Sequence, residues 1–366
     1  MLSSNISRTY LGHLALALSL GITGSLSLIT AHHLTSMPVY PPLLVDYPTL
    51  LSAFVHHTWV GIPLLIGASS HASIYLIRDY YIPGGGTNSV SYTYILVGHR
   101  DSVIVHLVWV TIFLGAHSFG IYLHNDTLQA LGRPEDLIGD NSLQLRPLPT
   151  NYLGSLSGGG YTMGILDSRT YFSGQELGTS DFMVHRIHAF TIHVTVLVLV
   201  KGALNTRGSR LITDKASLGF RYPCDGPGRG GTCQVSPWDH IFLTLFWAYN
   251  SVAVSVFHYH WKSQSDIWGY YEESKGVLAH LTGGDFGATS NTINAWLTTF
   301  FVVSSQSGYT GIRNSSSRIH SRILSFALCM GPFSYVSLQW AGVLAGIYRT
   351  YSMGPHKASP NPQRPT

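Results

Sequence analysis

Charge is what this sequence has least of. Only 10% of its 366 residues are Asp, Glu, Lys or Arg, where soluble domains carry about 25%. So few charges cannot clothe the surface of an ordinary water-soluble enzyme. The formal net charge of +4 gives no footing for nucleic acid binding. Cysteine is also scarce: three residues cannot staple a disulfide scaffold. The first apolar run lacks a basic leading segment and a small-residue cleavage site, so it does not read as a cleaved signal peptide. No internal repeat is visible, and the Gly-rich stretch GPGRGG lacks the Gly-Lys-Ser/Thr ending of a phosphate-binding loop.

What is present points to a membrane. Mean hydropathy is +0.18, with 38 Gly, 8 Trp and 21 Tyr, a composition typical of spanning helices with aromatic ends. Apolar runs long enough to cross a bilayer lie near 11–36, 50–77, 101–123, 183–204, 237–260 and 322–348. The expected fold is therefore all-α, a bundle of about six membrane helices. Arg78 and Arg100 flank the loop after the second run, and Lys201, Arg207, Arg210, Lys215, Arg221 and Arg229 fill the loop after the fourth. Strict alternation puts these two loops on one side, which the positive-inside rule makes cytosol-like.

Histidine carries the chemistry. There are 19, against 21 Lys and Arg and 17 Asp and Glu, and most fall inside apolar runs, where an ionisable residue is costly and marks a site. His106 and His117 stand three helical turns apart, on one face. A neutral imidazole can ligate a metal through one nitrogen and donate from the other. Hydrogen bonding between helices explains any one such residue, but not more than a dozen over five spans. Haem iron and chlorophyll magnesium remain as readings. Haem needs a few facing pairs, whereas a chlorophyll array needs many single ligands on many helices, and the pattern is of the second kind.

Phe220-Arg221-Tyr222-Pro223-Cys224-Asp225-Gly226-Pro227-Gly228-Arg229-Gly230-Gly231-Thr232-Cys233 is the sharpest local motif. Two thiols on a Gly/Pro-rich loop supply half the ligands of an iron–sulfur cluster, the other half coming from a second chain. A zinc clamp and a disulfide are the alternatives. Cys329 lies in an apolar run and reads as inert.

That loop, extended to FRYPCDGPGRGGTCQVSPWDH, resembles the photosystem I core chlorophyll a apoproteins, and Gln234-Val235-Ser236 sides with the PsaA branch. The resemblance continues in order through LSAFVHHTWVGIPLLIGASSHASIYLIRDY, HRDSVIVHLVWVTIFLGAHSFGIYLHNDTLQALGRPEDL, HAFTIHVTVLVLVKGAL and LTGGDFGATSNTINAWL, from about His13 to about Phe300. It implies two antenna-type helices in 1–90, core electron-transfer helices in 91–300 with the cluster loop at 201–236, and a divergent tail in 301–366. The family has eleven spans and this chain starts near the fifth, so with Met1 a separately encoded half-subunit is expected. By resemblance, Cys224 and Cys233 ligate a [4Fe–4S] cluster shared with PsaB. His13, His33, His56, His57, His71, His106, His117, His188, His193 and His258 match family ligands of chlorophyll a, and Asn250 holds another through a water. Arg186 departs from the family's VHHIH and puts one chlorophyll in doubt, and His260 stands where the family has Ser. β-Carotene and phylloquinone are further implied cofactors. Implied partners are PsaB, the absent N-terminal half, a stromal iron–sulfur subunit, other photosystem I subunits and membrane lipids. The implied activity is light-driven oxidoreduction from plastocyanin or a cytochrome to ferredoxin in the thylakoid membrane. A haem cytochrome is the competing class; a transporter using buried His as a proton relay is the third, and it leaves the Cys loop unexplained.

After Phe300 the expected donor His, acceptor Met and quinone-side Trp are missing. Back-translating Gln339-Trp340-Ala341-Gly342-Val343-Leu344-Ala345-Gly346 with permissible codons and shifting one base gives Ser-Gly-Arg-Gly-Tyr-Trp-Gln, the family's quinone-side motif. Family-like segments emerge in the same frame from Gly308–Arg313 and Ala327–Gly331. The tail from about Val302 therefore reads as out of frame. As written, Pro332 would kink its apolar run. Peptide mass spectrometry of the native protein should find the Ser-Gly-Arg-Gly-Tyr-Trp-Gln peptide; peptides containing Ser-Leu-Gln-Trp-Ala-Gly-Val-Leu-Ala-Gly would instead establish the tail as written.

Overall fold

The computed structural model describes residues 12–36, 47–78, 96–140, 142–145, 177–267 and 284–299. Five helices in these segments are long and apolar enough to cross a membrane: α1 (Gly12–Ser36), α2 (Tyr47–Arg78), α3 (Arg100–Ala130), α4 (Thr179–Leu204) and α5 (Pro237–Lys262). A π-turn, Ser263–Ile267, extends α5, and a short helix α6 covers Phe286–Thr289. Among the described residues the β-structure is one isolated bridge, Ile138 to Leu143. This is the all-α membrane bundle expected. The sixth apolar run, near 322–348, lies outside the described residues.

Each helix closes its own backbone hydrogen bonds, the only way a single segment can enter hydrocarbon. α5 starts where Ser236 accepts from the Asp239 N–H (3.2 Å), with Pro237 at the first helical position, a cap worth about 1 kcal/mol. α4 is capped from elsewhere. The Thr179 N–H donates to Asp140 (2.6 Å), and the Gly178 N–H to Asp181 (2.9 Å).

α1 packs along α2, α4 lies between α3 and α5, and α2 reaches both α4 and α5. α1 and α2 meet where both are glycine: a Cβ on Gly24 would stand 2.9 Å from the Gly61 carbonyl oxygen, and one on Gly61 would stand 2.9 Å from that of Gly24. Small residues let membrane helices approach this closely. α4 and α5 run antiparallel, tied by Thr191 donating to Ser251 (3.2 Å) and by Lys262 to Asp181 (3.1 Å). The tightest apolar packing gathers at the same end as that ion pair, around Val184, Phe257, Trp261 and Phe286, with Trp296 against them.

The two ends of the bundle differ. At one, Arg207 donates to the Leu76 carbonyl (2.8 Å), Arg100 to that of Gly208 (2.9 Å), and Arg210 pairs with Asp101 (3.1 Å). The basic residues of 205–236 thus share an end with the close of α2 and the start of α3, as alternation requires. At the other end Asn125, fully buried, donates to the carbonyls of Ile138 and Asn291 (both 2.8 Å) and accepts from the Ile138 N–H (2.7 Å).

Two outcomes follow. Gly24→Val should cost about 1–3 kcal/mol through overpacking and lower the thermal midpoint of the purified protein. Gly21→Ala is the control, because its Cβ would meet only the Ala68 methyl at 3.7 Å. Lys215 is buried in the basic loop, and burial, then Lys201 and Arg100, lower its pKa to about 8. Between about 8 and its ordinary value of 10.5 the unfolded chain holds the proton and the folded loop does not, so loop stability rises with pH across that window. Hydrogen exchange of residues 205–236 should slow as pH rises there, after correction for intrinsic rates, and Lys215→Met should remove the trend.

Candidate functional site

The helix backbone settles what many of the histidines can do. In His57, His106, His117 and His193, Nδ1 lies 2.6–2.9 Å from the carbonyl oxygen four residues earlier, at Ala53, Ser102, Phe113 and Ala189. A carbonyl has no proton to give, so Nδ1 carries the hydrogen and donates. Nε2 then keeps its lone pair on the opposite side of the ring. That is the form in which imidazole binds a metal, with the second nitrogen oriented by a hydrogen bond. His106 and His117, expected on one face of α3, are both exposed there.

Other predicted histidines meet one another. His13 and His71 approach Nδ1 to Nδ1 at 3.1 Å between α1 and α2, with rings stacked at 5.4 Å. His188 Nε2 and His258 Nδ1 stand 2.8 Å apart between α4 and α5. His56 lies edge-on to His57 at 5.1 Å, and His33 neighbours His32 at 5.9 Å. Asn250 is half-buried on α5, one residue after Tyr249, whose ring packs near Trp59 at 5.6 Å.

His185 falls in the patterned fourth run but not in the candidate ligand set, yet its Nδ1–H donates to the Asp181 carbonyl (2.6 Å) just as the others do. The signal was present: a His inside a helix with a carbonyl four residues back. The same spacing does not qualify His240, whose Nδ1 is bonded to the Ser236 carbonyl but whose Nε2 meets Lys201 Nζ at 3.1 Å. His124 spends Nε2 on the Asp136 carbonyl (2.9 Å). Neither was singled out from the sequence.

Among the described residues the helices leave much apolar surface uncovered. α3 exposes Val105, Trp109, Ile112, Phe119 and Leu123, and its most apolar stretch is 6% buried, against 44% for α5. Large flat apolar groups held by an axial nitrogen fit faces of this kind.

The cysteine loop forms a compact turn at the basic end. Gly226, Gly230 and Gly231 take positive φ (100°, 83° and 98°), which a side chain would strain. Thr232 holds the turn by donating to the Gly226 carbonyl (2.7 Å) and accepting from the Asp225 N–H (2.8 Å). Arg229 pairs with Asp225 (2.6 Å) and with Asp214. Cys224 and Cys233 are thereby brought together, exposed, and joined as a disulfide with Cα atoms 4.2 Å apart. Among the described residues no three His, Cys, Asp or Glu converge as a complete metal site, so the loop supplies two sulfurs and no more.

Known proteins match this sequence over most of its length. The chain is 53% identical over 311 residues to the photosystem I P700 chlorophyll a apoprotein A1 of Heterocapsa triquetra, covering 79% of this chain and 42% of that one. It is 50% identical over 308 residues to the protein of the same name from Cyanidioschyzon merolae, covering 79% and 40%. It thus spans less than half the length of these curated relatives. The family described as photosystem I psaA/psaB protein matches residues 6–166 and 158–344, the second segment running past Phe300. With the membrane helices and the glycine-rich cysteine turn in hand, these matches make the chain a member of the photosystem I psaA/psaB protein family.

Proposed function

We propose that this chain is a core subunit of photosystem I, binding chlorophyll a through its membrane histidines and sharing a [4Fe–4S] cluster with PsaB through Cys224 and Cys233. The observation that carries the first half is the repeated bond from Nδ1–H to a carbonyl within the helix. It leaves His57, His106, His117 and His193 each with a lone pair on a helix long and apolar enough to cross a membrane. These residues would hold chlorophyll magnesium, and Asn250 would hold another through water. Chlorophyll, when bound, supplies light absorption and one-electron chemistry. The chain's part is to fix spacing and ring orientation and to keep water out.

The cysteine turn supports the second half. Two exposed sulfurs at one point, on a turn held by Thr232, would make half of a tetrahedral thiolate set. Ligation needs both as thiolates, so a dithiol reductant would first exchange with the disulfide, becoming a disulfide itself and leaving Cys224 and Cys233 as thiols. Backbone N–H groups of the glycine turn could then donate to the sulfurs. β-Carotene and phylloquinone, a stromal iron–sulfur subunit, a thylakoid location and electron delivery to ferredoxin belong to this reading through the family.

In the purified complex, His106→Leu and His117→Leu should each remove roughly one chlorophyll per chain, counted by pigment extraction. Cys224→Ser should abolish the low-temperature paramagnetic signal of the shared cluster while most chlorophyll stays. A redox-sensitive Soret band in place of a red chlorophyll band would identify a haem cytochrome instead, and a colourless protein would favour a transporter.

A further inference from the structure

His188 and His258 are not independent. His188 Nε2 and His258 Nδ1 share one hydrogen bond of 2.8 Å, their rings 5.0 Å apart and tilted by 30°. Phe286 stacks on the His258 ring at 5.3 Å, and His185 meets it edge-on at 5.4 Å. The helices bearing the pair are tied on either side, by Thr191 with Ser251 and by Lys262 with Asp181. The pair is therefore held in place by its surroundings.

A neutral imidazole has one N–H and one lone pair. Two that share a hydrogen bond retain one of each between them. If His258 donates its Nδ1–H to His188 Nε2, the remaining lone pair lies on His258 Nε2. If the bond runs the other way, it lies on His188 Nδ1, which is enclosed and without a partner, where no pigment ring can approach. Only the first arrangement offers a lone pair to a ligand. It leaves the enclosed His188 Nδ1–H without an acceptor, so ligation at His258 is what draws the pair into that tautomer.

We propose that His188 is a positioning residue, and that the pair supplies one axial ligand, His258 Nε2, instead of two. His188 fixes the tautomer and ring plane of His258 as a carbonyl does for His106 and His117. This rests on the chlorophyll-binding reading above and goes further by assigning unequal roles to two residues the sequence treats alike.

The test uses the pigment–protein complex purified from cells carrying each variant, with chlorophyll per chain and the low-temperature red absorption band as readouts. His258→Leu should remove about one chlorophyll per chain, and His188/His258 double replacement by Leu about one, not two. His188→Leu should keep the count and shift the band. His188→Gln, whose side-chain oxygen can still accept the Nδ1–H, should restore the band. Where Leu at 188 blocks assembly, His188→Asn, too short to reach, takes its place against His188→Gln, and only Asn should shift the band. Loss of a chlorophyll from His188→Leu with loss of two from the double variant would overturn the assignment in favour of two separate ligands. An unchanged count in His258→Leu, or an unshifted band in both His188→Leu and His188→Asn, would also overturn it. A wild-type complex without chlorophyll would defeat the parent reading, and this one with it.

Discussion

A backbone carbonyl has two lone pairs, and an α-helix uses one. The spare pair, four residues before a histidine, decides which nitrogen of that ring carries the proton. In this chain the arrangement recurs on α2, α3 and α4, so the helix itself prepares a nitrogen lone pair. No second side chain has to be buried to orient the ring, which matters where every polar group in hydrocarbon needs a partner. The His188–His258 pair does the same work with a side chain in the carbonyl's place. It needs two helices in register, and so it sits where α4 and α5 are tied on both sides.

The ends of the bundle divide the remaining labour. One carries positive charge and the cysteine turn, and its Arg side chains bond carbonyls near the end of α2 and at the start of the loop. The other is joined by buried polar bonds. Asn125 joins α3 to two loop segments, Asp140 caps α4, and Asp181 meets Lys262 inside. A buried ion pair adds little net stability, but removal of either partner strands a charge, so it fixes the register of α4 on α5.

Much of this was legible in the sequence. Hydropathy located all five described spans because a 30 Å slab demands about twenty apolar residues. It misjudged their ends for a single reason. α3 runs to Ala130 instead of about 123, and α4 begins at Thr179 instead of 183, because the extra turns carry Asn125, Thr179 and Asp181. These polar residues lower the hydropathy yet are buried and bonded. Histidine positions were equally legible. Their pairing was not, because periodicity along one helix says nothing about which neighbour it faces. His188 and His258 looked alike until α4 met α5. The cysteine turn announced two sulfurs but not what joins them, since spacing alone fits a cluster, a zinc clamp or a disulfide.

The sparse burial of α3 has a thermodynamic consequence. A helix whose apolar face finds little cover among the described residues draws little folding free energy from them. Its native state is favoured by whatever binds that face, in proportion to how much of the binder is present and how tightly it binds. The stability of this chain is therefore a property of a mixture, set by mass action. Depleting the components that cover α3 would lower that stability in proportion.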